Sequence, residues 1–269
     1  MDDPAAEDGM MPQFQTLLYE EQDGIAILTL NRPERLNALD SVLHRELYQA
    51  WEHILKDDSL RVAVLTGAGR AFCSGADLRE RGEARQRGEV IEREKRQPNL
   101  LPVRLELTGS FPDNNMWLEF DKPIVAAVNG LVVGAGTMLL GAVDVLVASE
   151  KAYVADAHVT YAGWPGTGEA LDITDKMPWG EVFRIATEGI SFRIQGPRAY
   201  RLGFYCEMVP DDQVLPRALE IARLIARQPP EVVRALRRVA QRSRDLGLRD
   251  ALVYGRLEAR RLRELAEEA

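Results

Sequence analysis

The sequence predicts an α/β domain followed by a wholly helical C-terminal region. Three observations predict it. Short apolar, β-rich runs alternate with segments of helical periodicity from about residue 24 to residue 148. From Gly180 onward only helical periodicity remains, which separates an α/β core from a helical extension. The 269 residues are enough for one large domain with a sizeable buried core, or for a core with an appendage, and no repeat of fixed period is visible.

The elements follow in order. Residues 1–14 open acidic and poor in apolar side chains, unlike a signal or transit peptide, and are expected to be mobile. Gly24–Asn31 (GIAILTLN) reads as a strand that stops at Arg32-Pro33. Asp40–Leu55 opens on an Asp/Ser cap and repeats apolar residues at helical spacing. Arg61–Thr66 is a second strand. Arg79–Arg96 is nearly all charged or small and predicts an exposed helix, and the Pro-rich stretch that follows to Trp117 predicts a loop-rich lid. Together they make a charged and loop-rich insertion over about 79–120. IVAAVNG is a buried strand, Gly134–Leu140 starts a helix, and Asp144–Ala148 is another strand. Helices are then expected at GEVFRIATEG, at PRAYRLG, over Gln213–Gln228, over Pro230–Gln241 and from about Leu248 to Glu268. The last carries Leu, Val and Tyr at helical spacing, suited to packing on another subunit. The domain reading is a core over 15–200 and a helical region over 201–269.

Charge and cysteine usage narrow the function. A net charge of −8 argues against nucleic acid as the partner, because phosphate binding needs a basic face. No apolar run has the length of a membrane span. Cys73 and Cys206, the only cysteines, form neither a disulfide framework nor a metal-ligand spacing, so a cytoplasmic protein without a metal site is expected.

Three stretches carry the chemistry: LNRPERLNALD (residues 30–40), GRAFCSGADL (69–78) and KPIVAAVNGLVVGAGTMLLGAVD (122–144). With RAYRLGFYCEMVP at 198–210, their order and spacing resemble the crotonase (enoyl-CoA hydratase/isomerase) superfamily from about residue 15 to the end. The resemblance implies a spiral of ββα units, a helical C-terminal region that assembles a homotrimer or a hexamer of two trimers, and coenzyme A thioesters as substrates, as in fatty acid metabolism. It implies no cofactor beyond the coenzyme A of the substrate itself. Chemistry beside a thioester carbonyl builds charge on its oxygen, and two converging backbone N–H groups stabilise that charge. By the resemblance those donors belong to Ala76 and Ala135, the second at the start of a helix whose dipole adds to the effect. Arg35, Leu36, Ala38, Ser74, Gly75, Asp77 and Leu78 would line coenzyme A, with Gly134 and Met138 beside the acyl group. Arg260 and Arg261 are further candidates for its phosphates. Read without the resemblance, Gly75, Gly134 and Gly136 simply permit tight turns.

The sequence also departs from that family. Its hydratases use two glutamates, and in ungapped alignment these fall on Met138, which cannot move a proton at neutral pH, and on His158. His158 is one of three histidines and lies two residues after Asp156. On a strand residues two apart share a face, so Asp156 meets His158 if the strand extends that far and not if the chain turns there. Glu169, Asp172 and Asp175 are the alternative carboxylate partners. Otherwise His158 is a buried histidine satisfied by a carbonyl, Asp156 a turn residue and Asp175 a helix cap. Tyr161 and Trp164 suit a pocket wall or the core. His44 and His53, in the first helix, have no partner at chemical spacing. The functional expectation is enoyl-CoA hydration or isomerisation by a His158-based site. The alternatives are a retro-Claisen hydrolase of a β-dicarbonyl compound, which uses a histidine with an aspartate, and a non-catalytic acyl-CoA-binding protein.

Overall fold

The computed structural model describes residues 13–87, 120–161, 173–244 and 246–268. Of the predicted features, the N-terminal arm up to residue 12, the insertion from 88 to 119, and Trp164, Glu169 and Asp172 lie outside them. Ten strands fall into two sheets among the described residues. Strands β1 (Leu17–Gln22), β2 (Ile25–Leu30), β3 (Val62–Gly67), β5 (Ile124–Val128), β7 (Val145–Ser149) and β10 (Glu207–Val209) form one sheet in that order. The other sheet runs β4 (Ala71–Cys73), β6 (Leu131–Val133), β8 (Tyr153–Ala155), β9 (Ile194–Gln195). The chain alternates between them: β3 then β4, β5 then β6, β7 then β8. Each step advances both sheets by one parallel strand. That is a spiral, closed antiparallel at one edge of each sheet by β1 and by β9.

The apolar strand runs are explained by burial on both faces. Ala26, Leu28, Leu30, Ala63, Leu65, Ala126 and Val128 point into the main core, with Leu43, Leu47 and Trp51 of α1 (Ser41–Lys56). The alternate residues Ile25, Ile27, Val62, Val64, Val125 and Ala127 point the other way, onto Val214, Ala218, Ala222 and Ala226 of α6 (Val214–Ala226). Trp51 is 1% exposed, and its truncation to alanine would cost about 3–5 kcal/mol.

The predicted first helix is α1, and Asp40 caps it by accepting the N–H of Leu43 at 2.8 Å. The described part of the charged helix is α2 (Leu78–Gln86). Then come α3 (Ala135–Gly141), α4 (Trp179–Glu188), α5 (Gly196–Arg201), α7 (Pro230–Arg242) and α8 (Leu248–Glu268). Five strands have no counterpart in the sequence reading: β1, β4, β6, β9 and β10. Four of them, β4, β6, β9 and β10, have two or three residues, too short to show a period. β9 and β10 interrupt the stretch read as helices alone. Asp175 is no cap, since Pro178 occupies that position for α4 and Asp175 pairs with Arg244 at 2.8 Å. No helix of the described residues is long and apolar enough to cross a membrane.

Candidate active site

The four-stranded sheet gathers three candidate segments at the carboxyl ends of its strands, two from the chemical stretches and the third around His158. β4 runs into Ser74-Gly75-Ala76, β6 into Gly134-Ala135 and β8 into Asp156-Ala157-His158. The three strands are parallel and adjacent, so these segments leave the carboxyl ends of neighbouring strands together. Gly75 has φ +93° and Gly134 φ +52°, both outside what a side chain tolerates easily. A Cβ on Gly75 would lie 2.7 Å from the Val133 carbonyl oxygen and 3.2 Å from the Ala135 nitrogen. A Cβ on Gly134 would lie 3.4 Å from His158 Cε1. Contact thus runs from the Ala76 segment to Ala135 and on to the His158 ring.

Ala76 forms a parallel bridge with Leu39, in which Leu39 N–H donates to Gly75 O at 2.7 Å and Asp77 N–H to Leu39 O at 3.0 Å. In such a bridge the N–H of the central residue points away from the partner. Ala135 is the first residue of α3, where an N–H has no intrahelical acceptor. Neither N–H donates to any acceptor among the described residues.

His158 and Asp156 do pair, by a route opposite to the one the sequence suggested. β8 ends at Ala155, so the chain turns at Asp156. The turn makes the pair: Asp156 Oδ1 accepts the His158 backbone N–H at 2.6 Å, folding the carboxylate back over its own chain. His158 Nδ1 then lies 2.9 Å from Oδ1 and 3.1 Å from Oδ2. Asp156 is 1% exposed, while 23% of the His158 side chain is accessible. Beyond it, Thr160 Oγ1 accepts the N–H of Ile190 at 3.0 Å and ties the turn to the end of α4.

The remaining candidates separate. Arg35 is exposed, and Leu36 is half-buried with φ +51°. Ser74 N–H donates to Leu36 O at 3.0 Å and Ser74 Oγ to Arg35 O at 3.3 Å, so the two segments expected to line coenzyme A lie side by side. Ala38 is buried and Leu78 is 57% exposed. Asp77 turns inward: Oδ2 takes Arg32 at 3.0 Å and Oδ1 the N–H groups of Arg79 and Glu80. Burial alone would raise its pKa, but Arg32 and those N–H groups outweigh it and hold the carboxyl below its usual range. Met138 is partly buried against the core. Tyr161 is exposed, not wall or core. Arg260 pairs with Glu264 at 2.8 Å and Arg261 approaches the buried Glu258 at 3.9 Å, and both arginines are exposed on α8. His53 has a partner after all, Glu21 at 2.8 Å across the β1–α1 contact. With Asp57 these two bring three ligand atoms within 4.8 Å, but Glu21 already accepts from Tyr19, and Asp57 from Ser59. Arg32 and Asn37, within the first motif, were not singled out by sequence. Asn37 joins Arg32 N–H to the carbonyls of Ala68 and Ala71.

A two-sheet spiral that delivers two unspent N–H groups and a histidine to one edge defines a crotonase-fold protein. Comparisons agree. The enoyl-CoA hydratase/isomerase family matches residues 20–254. The 2,3-dehydroadipyl-CoA hydratase of Escherichia coli is 30% identical over 245 residues, covering 89% of this chain and 87% of its own. The 1,2-epoxyphenylacetyl-CoA isomerase of the same bacterium is 30% identical over 228 residues, covering 80% and 78%. The crystal structure of an enoyl-CoA hydratase from Bacillus anthracis aligns with a TM-score of 0.79 at 27% identity, covering 91% of this chain and 90% of that one. An enoyl-CoA hydratase/isomerase from Mycobacterium paratuberculosis aligns with a TM-score of 0.77 at 30% identity, covering 93% and 90%. The chain belongs to the enoyl-CoA hydratase/isomerase family.

Proposed function

We propose that the chain is an acyl-CoA enzyme that moves a proton at the carbon beside the thioester carbonyl, with double-bond isomerisation as its reaction. The carrying observation is the buried Asp156 carboxylate bonded to His158 Nδ1, next to Gly134 and the Ala135 N–H. Holding the proton on Nδ1 leaves the Nε2 lone pair as the base. His158 would take the α-proton of a β,γ-enoyl thioester while the electrons move onto the carbonyl oxygen. The N–H groups of Ala76 and Ala135 would hold that oxygen, and the imidazolium, stabilised by Asp156, would return the proton to the γ-carbon. Hydration also requires a positioned water, and Met138 supplies no group for it. Arg35, Leu36, Ala38 and Ser74 would hold coenzyme A through largely backbone contacts.

Retro-Claisen cleavage of a β-dicarbonyl compound is the second reading, favoured by the same His158–Asp156 pair, because there the histidine acts on water with an aspartate's help. One experiment separates the two. The protein is given a β,γ-enoyl-CoA in D2O and, separately, β-oxo thioesters and β-diketones. Isomerisation predicts conjugated enoyl-CoA, with deuterium at the γ-carbon to the extent that the imidazolium proton exchanges with solvent, both abolished by His158→Ala. Release of a carboxylic acid without isomerisation would overturn it in favour of the second reading, and tight acyl-CoA binding with neither reaction would make the chain a binding protein. For assembly, we propose a trimer or a dimer of trimers built through α8, whose Leu248, Leu252, Val253 and Leu257 are exposed.

A further inference from the structure

We propose that Arg32 is a positioning residue for the enolate site, aiming the Ala76 N–H through Leu39. The inference rests on the reading of Ala76 as a donor to the thioester oxygen. The peptide unit that carries that N–H is Gly75–Ala76, which is planar and trans, so its carbonyl and its N–H point in opposite directions. Its carbonyl is held by Leu39 N–H at 2.7 Å, and that bond sets where the N–H points. The next unit is fixed the same way, Asp77 N–H donating to Leu39 O at 3.0 Å. Leu39 is therefore the template against which Ala76 is aimed, and a shift of its backbone rotates the donor.

Arg32 grips that template on both sides and the donor strand beyond it. Nη1 donates to Ala38 O at 2.5 Å, and Nη2 meets Asp40 Oδ2 at 2.9 Å and Asp77 Oδ2 at 3.0 Å. Residues 38 and 40 flank Leu39, and residue 77 follows Ala76. The guanidinium side chain is 13% accessible and the two carboxylates 15% and 10%, so these contacts are only weakly screened. Both carboxylates are themselves anchored at helix starts: Asp40 Oδ1 accepts the N–H of Leu43, and Asp77 Oδ1 accepts those of Arg79 and Glu80. Ser41 of α1 bonds Glu80 of α2 with its N–H and its Oγ, closing the frame from outside. A planar fork can serve the three acceptors at once, whereas an ammonium on a shorter stem reaches fewer. The segment held this way includes Leu36 and Asn37, at φ +51° and +55°, a backbone that does not keep this shape unassisted.

The test is a double-mutant cycle of Arg32→Met with Ala76→Pro, which removes the N–H at a position where it makes no internal bond. Turnover, α-proton exchange and the infrared stretch of a 13C-labelled thioester carbonyl in a bound saturated acyl-CoA are measured. Ala76→Pro is expected to lower kcat by about 10²–10³-fold. Arg32→Met is expected to lower kcat by about 10²-fold, more than it raises KM, and to move the carbonyl stretch to higher wavenumber. In the Ala76→Pro background Arg32→Met should cost less than about threefold further. A merely structural Arg32 would lower thermal stability without moving the carbonyl stretch, or would act additively in the cycle, and either result overturns the inference. Full turnover in Ala76→Pro would instead overturn the donor reading on which it rests. Should Arg32→Met not fold, Arg32→Lys carries the test: an unchanged stretch and kcat in that variant refute it.

Discussion

Exchanging Asp156 for asparagine changes a proton's position while leaving the shape of the site almost intact. Asp156 Oδ1 accepts the His158 backbone N–H at 2.6 Å and lies 2.9 Å from Nδ1, with Oδ2 3.1 Å from the same nitrogen. An amide has one oxygen and one NH2 group, and the backbone N–H claims the oxygen. The NH2 group then stands at the Oδ2 position, 3.1 Å from Nδ1, where its hydrogens oppose a proton on that nitrogen and favour the neutral ring with its proton on Nε2, the tautomer in which Nε2 is no base. Restoring the productive tautomer against that amide costs about 1.5–3 kcal/mol, and the imidazolium loses a charge-assisted bond of about the same size. The sum corresponds to a fall in kcat of about 10²–10⁴-fold, at 1.36 kcal/mol per tenfold. A change of similar sign and size, about 10⁴, follows the same exchange in a Ser-His-Asp triad. The assay is conversion of a β,γ-enoyl-CoA to its conjugated isomer, with α-proton exchange in D2O beside it and thermal unfolding as the control. A variant with wild-type stability and kcat within threefold of wild type would refute the role given to Asp156.

Three further outcomes are expected. Gly75→Ala forces a Cβ to 2.7 Å from Val133 O at a φ of +93°, so it should lower Tm by several degrees and kcat by at least about 10²-fold; unchanged turnover would mean that the Ala76 and Ala135 segments need not touch. Lys122 is buried with its ammonium on the carbonyls of Ile54 and Asp57, and burial, aided by Arg234, lowers its pKa from 10.5 to about 8. Between those values the unfolded chain binds the extra proton, so this group's contribution to stability rises with pH. Wild type should therefore gain on the order of 3 kcal/mol over Lys122→Met between pH 8 and 10.5, measured by urea unfolding, and parallel curves would refute it. Leu252→Glu with Leu257→Glu, at positions 56% and 59% exposed, should convert an assembly of three or six 30.1 kDa chains to a monomer in light scattering; a wild-type monomer would refute the assembly.

The legibility of the sequence follows the length scale of each signal. Helices α1, α6, α7 and α8 each span three turns or more, so their periodicity shows, and Asp40 marks the start of α1 by its capping chemistry. The strands of the second sheet have two or three residues, too few for any period, yet they are the ones whose ends carry the site. Their order was legible only through motif resemblance, and the glycines that end them record it locally: Gly75 and Gly134 stand where the backbone turns with positive φ. Arg32 was hidden for a different reason. Its three acceptors come from residues 38, 40 and 77, and no sequence spacing shows that a guanidinium beside a proline serves a segment 45 residues away.

The Asp156–His158 pair shows how an argument from the wrong element can still point at the right residues. Strand geometry would have placed two side chains on one face and left their separation to the pleat. The turn instead bonds the carboxylate to the backbone of the histidine it orients, so ring and carboxylate cannot drift apart without breaking the 2.6 Å bond. This ties the proposed base to β8, whose neighbour β6 leads into Ala135 and whose next neighbour β4 leads into Ala76. The proposed donors and base are then set by the register of one parallel sheet. On the proposed reading such a site needs only one titratable side chain to take a proton from one carbon and return it to another, and for that reason Met138, standing where the family resemblance expects a glutamate, weighs against hydration more than against catalysis.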